Sequence, residues 1–335
     1  VYHQQLVQGQ HYMVAAAHPL ATRAGASMLA KGGSAVDAAI ATQLMLGLVE
    51  PQSSGIGGGA FMLHWQAEQQ KMTTFDGREI APATATPLLF TAQGKTMDWR
   101  EAYVGGKSVG VPGVIAMLYQ AHQQFGKLAW ADLFTDTINA AEQGFKVSGR
   151  TANQLAMGWN KGVSVFFDSR TYFFPDGKPL AEGAILKNPA YARTLRLIAE
   201  KGPDAFYKGE LAKAISERVQ TAEINPGLLT EDFIKLQVHA NPHQADSDKP
   251  AQLRQAVRPP RTLSPIEFEK VQAKIYAEKH GLELSNRWRP AADQEFFRQD
   301  LPSTAQHKIA QNDNATTAVI SCSSPADLLN LYGND

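Results

Sequence analysis

The stretch whose residue types are most suited to binding or catalysis is "DGRE", Asp76 to Glu79, at the end of the strand-like run "KMTTFDGRE". Arg78 stands where a strand is expected to end, and there its guanidinium can offer a rigid fork of donors to a carboxylate. The alternative is a surface arginine paired with Asp76 or Glu79, which contributes little beyond solvation. Residue types and spacing leave both interpretations open.

A second candidate is the glycine cluster "GIGGG", Gly55 to Gly59. Phosphate-binding loops run from a strand through glycines into a helix, because the phosphate binds at the helix N-terminus. Here the order is helix, glycines, strand, and no Gly-Lys-Ser/Thr ending follows. The cluster predicts a structural crossing into a central strand, with positive φ and close backbone packing. Ser53 and Ser54 are interpreted as helix-exit turn residues and not as oxyanion donors.

The overall composition argues against several functions. The chain has 335 residues, and its 32 basic and 32 acidic residues cancel, so nothing indicates nucleic acid or an anionic membrane as a partner. The sequence has no uncharged apolar run long enough to span a bilayer. Cys322 is the single cysteine, which leaves no intrachain disulfide. We expect no metal and no cofactor, because no Cys/His spacing suggests a metal site.

The elements that must position these residues are readable in the first 235 residues. The segment 35–50 is Ala-rich and apolar on nearly every face, and a capping box of Ser34 and Asp37 precedes it, which predicts a helix buried on both sides. An antiparallel hairpin is predicted from strands 60–65 and 71–79. Further helices are predicted over 19–31, 114–125, 129–143, 190–201 and 208–220, and a loop is predicted over 166–180.

Beyond about residue 235 the character of the chain changes. Residues 238–262 are polar, with Pro-Pro and mixed charges, and predict a linker or an exposed loop. Residues 264–281 predict an amphipathic helix, and no steady periodicity follows. We therefore expect two regions, 1–235 and a divergent polar segment, 236–335.

Six strings of the first region carry a family resemblance: "GGSAVDAAIATQLMLGLVEPQSSGIGGGAFML", "FDGREIAPATAT", "GGKSVGVPGVIAMLYQAHQQFGKLAW", "AAEQGFKV", "GPDAFYKGELAKAI" and "GLLTEDF". Together they resemble the large subunit of γ-glutamyltransferases over about residues 10–235, in the family's order. The resemblance implies an N-terminal-nucleophile hydrolase, an α/β protein with an αββα sandwich that is incomplete without a small-subunit partner. The buried helix and the hairpin expected above agree with that architecture.

The resemblance also implies an activity. In that family the proenzyme cuts itself, and the Thr exposed at the start of the small subunit attacks the γ-glutamyl carbonyl of glutathione; water or an amino acid then accepts the acyl group. The freed α-amine, with a pKa of about 8, can act as base for the hydroxyl. The arginine of the "DGRE"-like motif binds the glutamyl α-carboxylate, a role that falls to Arg78. The resemblance further implies a periplasmic or secreted protein whose signal segment has been removed.

The last hundred residues depart from the family pattern. "DLPSTAQHKIAQ" puts Thr304 at the nucleophile position, but Ala305 and Gln306 stand where Ser-His or Thr-His is expected. Thr316 and Thr317 also lack that histidine. The family's "R-x-P" turn and "PPSSGG" signature are missing, and we expect the residues after Thr304 to be too few for a small subunit.

Several interpretations stay open on this basis. The chain could be a large subunit that works with a separate small-subunit chain, a truncated or frame-altered product, or a homologue that binds γ-glutamyl compounds without catalysis. A related cephalosporin acylase is the further alternative among enzymes. The arginine of "DGRE" favours a substrate with a free α-carboxylate, such as glutathione.

Overall fold

The computed structural model describes residues 9–158, 161–231 and 317–323. All the elements named here belong to one of the two compact units into which the chain divides. The helices are α1 (Pro19–Ala30), α2 (Ala35–Val49), α3 (Trp99–Ala102), α4 (Val114–Phe125), α5 (Thr135–Gln143), α6 (Gly149–Met157), α7 (Lys161–Val165), α8 (Phe167–Phe173), α9 (Pro189–Lys201), α10 (Asp204–Tyr207) and α11 (Gly209–Gln220). The strands are β1 (Gly59–Gln66), β2 (Lys71–Gly77), β3 (Thr91–Ala92), β4 (Lys95–Thr96), β5 (Phe145–Lys146), β6 (Ile185–Leu186) and β7 (Thr317–Ser323).

The first two helices begin where their capping residues lie. His18 caps α1, since its Nδ1 accepts a hydrogen bond from the backbone N–H of Leu20 at 3.1 Å. At α2 the predicted capping box is present: Ser34 Oγ accepts from Asp37 N at 3.1 Å, and Asp37 Oδ2 accepts from Ser34 N at 2.7 Å. Gly32, with φ of +83°, forms the turn between the helices.

Helix α2 is the centre of the hydrophobic core, as its composition predicts. Ten of its fifteen residues are buried, and α1, α4 and α5 pack around it. Its Asp37 carboxylate is also buried, and Oδ2 accepts two further hydrogen bonds from Lys127 N and Leu128 N, at 2.9 and 3.2 Å. This acceptor fixes the chain that follows α4 against the start of α2.

The main sheet has the strand order β2-β1-β7, so β1 is its central strand. β1 and β2 form the predicted antiparallel hairpin, with Ala60 opposite Gly77 and Trp65 opposite Met72. β7 is antiparallel to β1 on the other side and pairs Ser323 with Gly59. The expectation that the glycine cluster leads into a central strand is therefore confirmed.

The two faces of this sheet have different environments. Ala60, Met62 and Phe75 point to the face that α2 and α4 cover, and they are buried in the core. The opposite face is apolar but accessible, because Phe61 and Met72 remain 45% and 50% exposed. Such a face normally packs against another layer.

Two sequence predictions need correction. Residues 166–180 were predicted as a loop, but α8 occupies 167–173, because Phe166, Ser169 and Phe173 are buried at a helical spacing. The helix predicted over 129–143 is a 3₁₀ turn, Trp130–Phe134, followed by α5. The tighter turn lets Trp130 Nε1 donate to Ile198 O at 3.1 Å.

Other predictions fall outside the residues that the structure describes. The linker, the helix over 264–281 and the division into 1–235 and 236–335 stay predictions. Within the described ranges, no helix is long and apolar enough to cross a membrane. The same ranges contain no cluster of three His, Cys, Asp or Glu side chains that could hold a metal ion.

Candidate functional site

Arg78 lies at the end of the hairpin, directly after the last residue of β2. Its backbone N–H donates to Asp76 Oδ1 at 2.9 Å, and its Nε lies 3.3 Å from Glu79 Oε2. The side chain of Arg78 is 58% exposed, whereas that of Glu79 is 14% exposed. The pairing with Glu79 that the sequence left open is therefore present, and more than half of the arginine side chain remains accessible to a ligand.

Glu79 owes its place to a glycine. A Cβ added at Gly59 would lie 2.8 Å from Glu79 N and closer still to the Glu79 carboxylate, so only glycine fits there without displacing the side chain. The first residue of β1 and the carboxylate that holds Arg78 are thus in direct contact. The backbone of β1 therefore fixes the position of the Glu79 carboxylate, which follows the end of β2.

A second segment supports the same residues from the other side. Val111 N donates to Ile80 O at 2.9 Å, and Gly113 N donates to Gly58 O at 3.0 Å. A Cβ at Gly113 would meet Arg78 O at 2.9 Å and the backbone of residue 77 more closely. We call residues 58–59, 77–80 and 111–113 the arginine platform.

The glycine cluster was interpreted only partly correctly from the sequence. Close backbone packing is observed at Gly58 and Gly59, but the expected positive φ is wrong, since none of Gly55, Gly57, Gly58 and Gly59 has one. The contribution of 111–113 was missed. The sequence shows a glycine, Gly113, directly before α4. A glycine in that place does not reveal which strand end its backbone contacts.

Ser53 and Ser54 are turn residues, as interpreted from the sequence. Their backbone N–H groups both donate to Glu50 O, at 2.9 and 3.0 Å. Gln43 Nε2 donates to Ser54 Oγ at 3.5 Å inside the core. These contacts account for both serines as parts of the exit from α2.

Of the nucleophile candidates, Thr317 belongs to the part of the chain that the structure describes. Thr304 and Thr316 are outside the described residues. Thr317 begins β7 and pairs with Trp65, at the far end of β1 from the strand exit that carries Arg78. The Trp65 and Ala60 positions are five residue steps apart along the strand, which corresponds to about 17 Å. The register therefore does not bring Thr317 to Arg78.

Two described groups with perturbed pKa values are the Glu50 carboxyl and the His64 imidazole. Burial raises the pKa of the Glu50 carboxyl at the end of α2, with Arg150 acting in the opposite direction. Burial also lowers the pKa of His64, whose ring lies tilted against that of Phe125 with ring centroids 4.1 Å apart. A cavity of about 900 Å³ lies beside Glu50, between α1, α5 and the start of α6. Arg78 is not among the residues that line it.

Comparisons with known proteins agree with the fold and with the resemblance. The family model described as gamma-glutamyltranspeptidase matches residues 21–248. The glutathione hydrolase proenzyme of Bacillus subtilis strain 168 is 41% identical over 219 residues, which are 65% of this chain and 37% of that protein. The chain thus spans well under half of the length of this relative.

Solved structures give the same result. The γ-glutamyltranspeptidase of Helicobacter pylori superposes with a TM-score of 0.64 at 27% identity, over 69% of this chain and 65% of that one. The cephalosporin acylase of Bacillus halodurans gives 0.58 at 28% identity, over 69% and 45% of the two chains. The α/β fold class expected from the resemblance is confirmed, and the chain belongs to the gamma-glutamyltranspeptidase family.

Proposed function

We propose that this chain acts as the large subunit of a γ-glutamyltransferase and glutathione hydrolase. It would transfer the γ-glutamyl group of glutathione or another γ-glutamyl compound to water, an amino acid or a peptide. Arg78 would bind the α-carboxylate of the glutamyl group. The membership of the gamma-glutamyltranspeptidase family supports the reaction class, and the placement of Arg78 supports the assignment of the arginine.

The single observation that carries the proposal is the exposed side chain of Arg78, directly after the end of β2. Glu79 Oε2 lies 3.3 Å from Arg78 Nε, and the Arg78 side chain is 58% exposed. A planar guanidinium can bind a carboxylate through two parallel hydrogen bonds. Because the arginine platform is made of close backbone contacts, the backbone that carries Arg78 is held in place before a substrate arrives.

The chemistry would proceed through an acyl-enzyme at a threonine. The hydroxyl oxygen attacks the γ-carbonyl carbon while its proton passes to the α-amine of the same residue. The amide C–N bond then breaks, and the departing amine takes that proton. Water or an amino group attacks the resulting ester, which releases glutamate or a new γ-glutamyl amide and restores the hydroxyl. Arg78 takes no proton in these steps and only holds the α-carboxylate.

We further propose Thr304 as this nucleophile, on the basis of the "PST" sequence at that position. The register of β7 argues against Thr317, which lies at the other end of β1 from the arginine platform. The B. subtilis relative is named a proenzyme, which supports a chain that is cut to expose its nucleophile. A break before Thr304, seen in an intact-mass measurement, would support the assignment, and a single uncut mass would refute it.

The partner we propose is the small subunit of the same proenzyme, which would begin at Thr304 after the cut. The accessible apolar face of the main sheet supports this proposal, because Phe61, Leu63 and Met72 on β1 and β2 are about half exposed. A second sheet packed on that face would remove them from water and complete an αββα sandwich. Location in the periplasm or outside the cell is proposed from the family resemblance alone.

The test is the release of p-nitroaniline from γ-glutamyl-p-nitroanilide by this chain together with its small-subunit partner. Arg78→Ala should raise KM about 10- to 100-fold, the effect of losing one to two charge-assisted hydrogen bonds. The KM of Arg78→Lys should lie between those of the unsubstituted protein and of Arg78→Ala, because an ammonium keeps the charge but cannot form the two parallel hydrogen bonds. Arg196→Ala is the matched control, since Arg196 is a surface arginine paired with Glu142 at 2.6 Å.

Two outcomes would refute different parts of the proposal. An Arg78→Ala variant with an unchanged KM would remove Arg78 from the substrate site. No turnover by the unsubstituted protein with its partner would refute the enzymatic activity. Calorimetric binding of glutathione in that second case would favour the non-catalytic homologue.

A further inference from the structure

Glu50 occupies a position where a carboxylate is unfavourable for two reasons. It is the C-cap residue of α2, where the helix dipole is negative, and its side chain is buried. Burial raises the pKa of this carboxyl above its usual range, although Arg150, Ser148 and Gln52 oppose the shift. A buried carboxylate at a helix C-terminus lowers the stability of the fold, so its presence indicates a role other than packing.

The Glu50 carboxylate joins two separate elements. Its Oε2 accepts from Gln52 Nε2 at 2.7 Å and lies 3.5 Å from Arg150 Nε. Its Oε1 accepts from Ser148 Oγ at 3.4 Å. Gln52 belongs to the turn between α2 and β1, whereas Ser148 and Arg150 belong to the start of α6. The carboxylate therefore ties that turn to α6.

Two neighbouring hydrogen bonds strengthen the same connection. Thr151 Oγ1 donates to Gln52 Oε1 at 3.3 Å, and Arg150 Nη2 donates to Ser53 Oγ at 3.3 Å. Side chains of Glu50, Gln52 and Ser53 are thus all bonded to the first turn of α6. Connected polar networks of this kind hold a single arrangement of the chain.

The other end of the same turn belongs to the arginine platform. Gly58 O accepts the amide of Gly113, and Gly59 lies against the carboxylate that holds Arg78. Seven residues separate Glu50 from Gly58, and four of them are buried. We therefore expect a shift of the turn at Glu50 to move the platform as well.

We propose that Glu50 is a positioning residue for Arg78. Its carboxylate holds the turn between α2 and β1 against α6, and the turn fixes where the arginine platform lies. Glu50 itself does not contact the substrate. The inference rests on the proposed function, because the position of Arg78 is measured through substrate binding.

The test is Glu50→Gln in this chain with its small-subunit partner. Gln keeps the size and one acceptor oxygen but loses the charge that attracts Arg150. KM for γ-glutamyl-p-nitroanilide should rise about 3- to 10-fold, while kcat stays within about twofold. Glu142→Gln is the matched control, because Glu142 is also paired with an arginine, Arg196, but on an exposed surface. It should leave both constants unchanged.

A second measurement does not depend on turnover. The amide of Gly113 donates to Gly58 O, so its hydrogen exchange reports on the arginine platform. In Glu50→Gln this amide should exchange at least about threefold faster, while amides in the middle of α9 keep their rates. If Glu50 only stabilised the fold, its substitution would change the exchange rates of Gly113 and of the α9 amides together.

The outcomes separate this inference from the proposed function. If Arg78→Ala raises KM but Glu50→Gln changes neither KM nor the exchange of Gly113, the positioning role is refuted and the activity stands. If the unsubstituted protein shows no turnover, the proposed function falls instead. Unchanged exchange at Gly113 would then also refute the link between Glu50 and the platform.

Discussion

Replacing Gly59 with alanine should weaken substrate binding without altering any charge. The Cβ that the substitution adds would lie 2.8 Å from Glu79 N and closer to the Glu79 carboxylate, which has to move away. Glu79 then no longer holds Arg78 Nε at 3.3 Å. The guanidinium is left to sample several orientations, of which only one meets an α-carboxylate.

The structure sets the size of both effects. Overpacking of this kind costs about 1–3 kcal/mol of folding free energy, because the clash is partly with backbone. The Arg78–Glu79 pair is more than half exposed on the arginine side, so its loss contributes about 0.5–1 kcal/mol. Passed on to substrate binding, that loss corresponds to a KM about two- to fivefold higher.

The assay is the KM for γ-glutamyl-p-nitroanilide beside the midpoint of urea unfolding. Gly202→Ala is the control, because Gly202 has φ of +72° at the end of α9. Apart from the chain neighbours of Gly202, Tyr119 at 4.0 Å is the only described residue that an added Cβ would meet. Gly202→Ala should cost about 1 kcal/mol of stability through backbone strain and leave KM unchanged. A Gly59→Ala variant that loses stability but keeps its KM would show that Gly59 serves packing only.

Two further predictions concern buried polar groups. Asp37→Ala should lower the unfolding free energy by about 3 kcal/mol, because the amides of Lys127, Leu128 and Ser34 lose their shared acceptor. Asp37→Asn keeps one oxygen and should lower the unfolding free energy by less. Equal losses for the two variants in urea titrations would contradict this account. Burial lowers the pKa of His64, so the unfolded chain binds its proton more tightly and stability falls as the pH drops below about 6.5. In His64→Leu this loss should be smaller between about pH 7 and pH 5, and an unchanged pH slope would exclude His64 as its source.

The local elements of the fold could be predicted because their signals are local. The capping box at Ser34, the glycine after α1 and the alternation in β1 each act through neighbours in the sequence. The loop predicted over 166–180 was wrong for the opposite reason. Phe166 and Phe173 form a helical face only because other parts of the chain bury them.

The family and the candidate arginine also came from the sequence, through long strings that keep their order along the chain. The sequence did not reveal that Gly59 contacts Glu79, or that Glu50 is bonded to the start of α6. These contacts join residues that are far apart in the chain, and their partners depend on how the strand, the turn and the helix come together. Residue types therefore determined which groups could bind a carboxylate, and only the tertiary structure decided which backbone holds them in place.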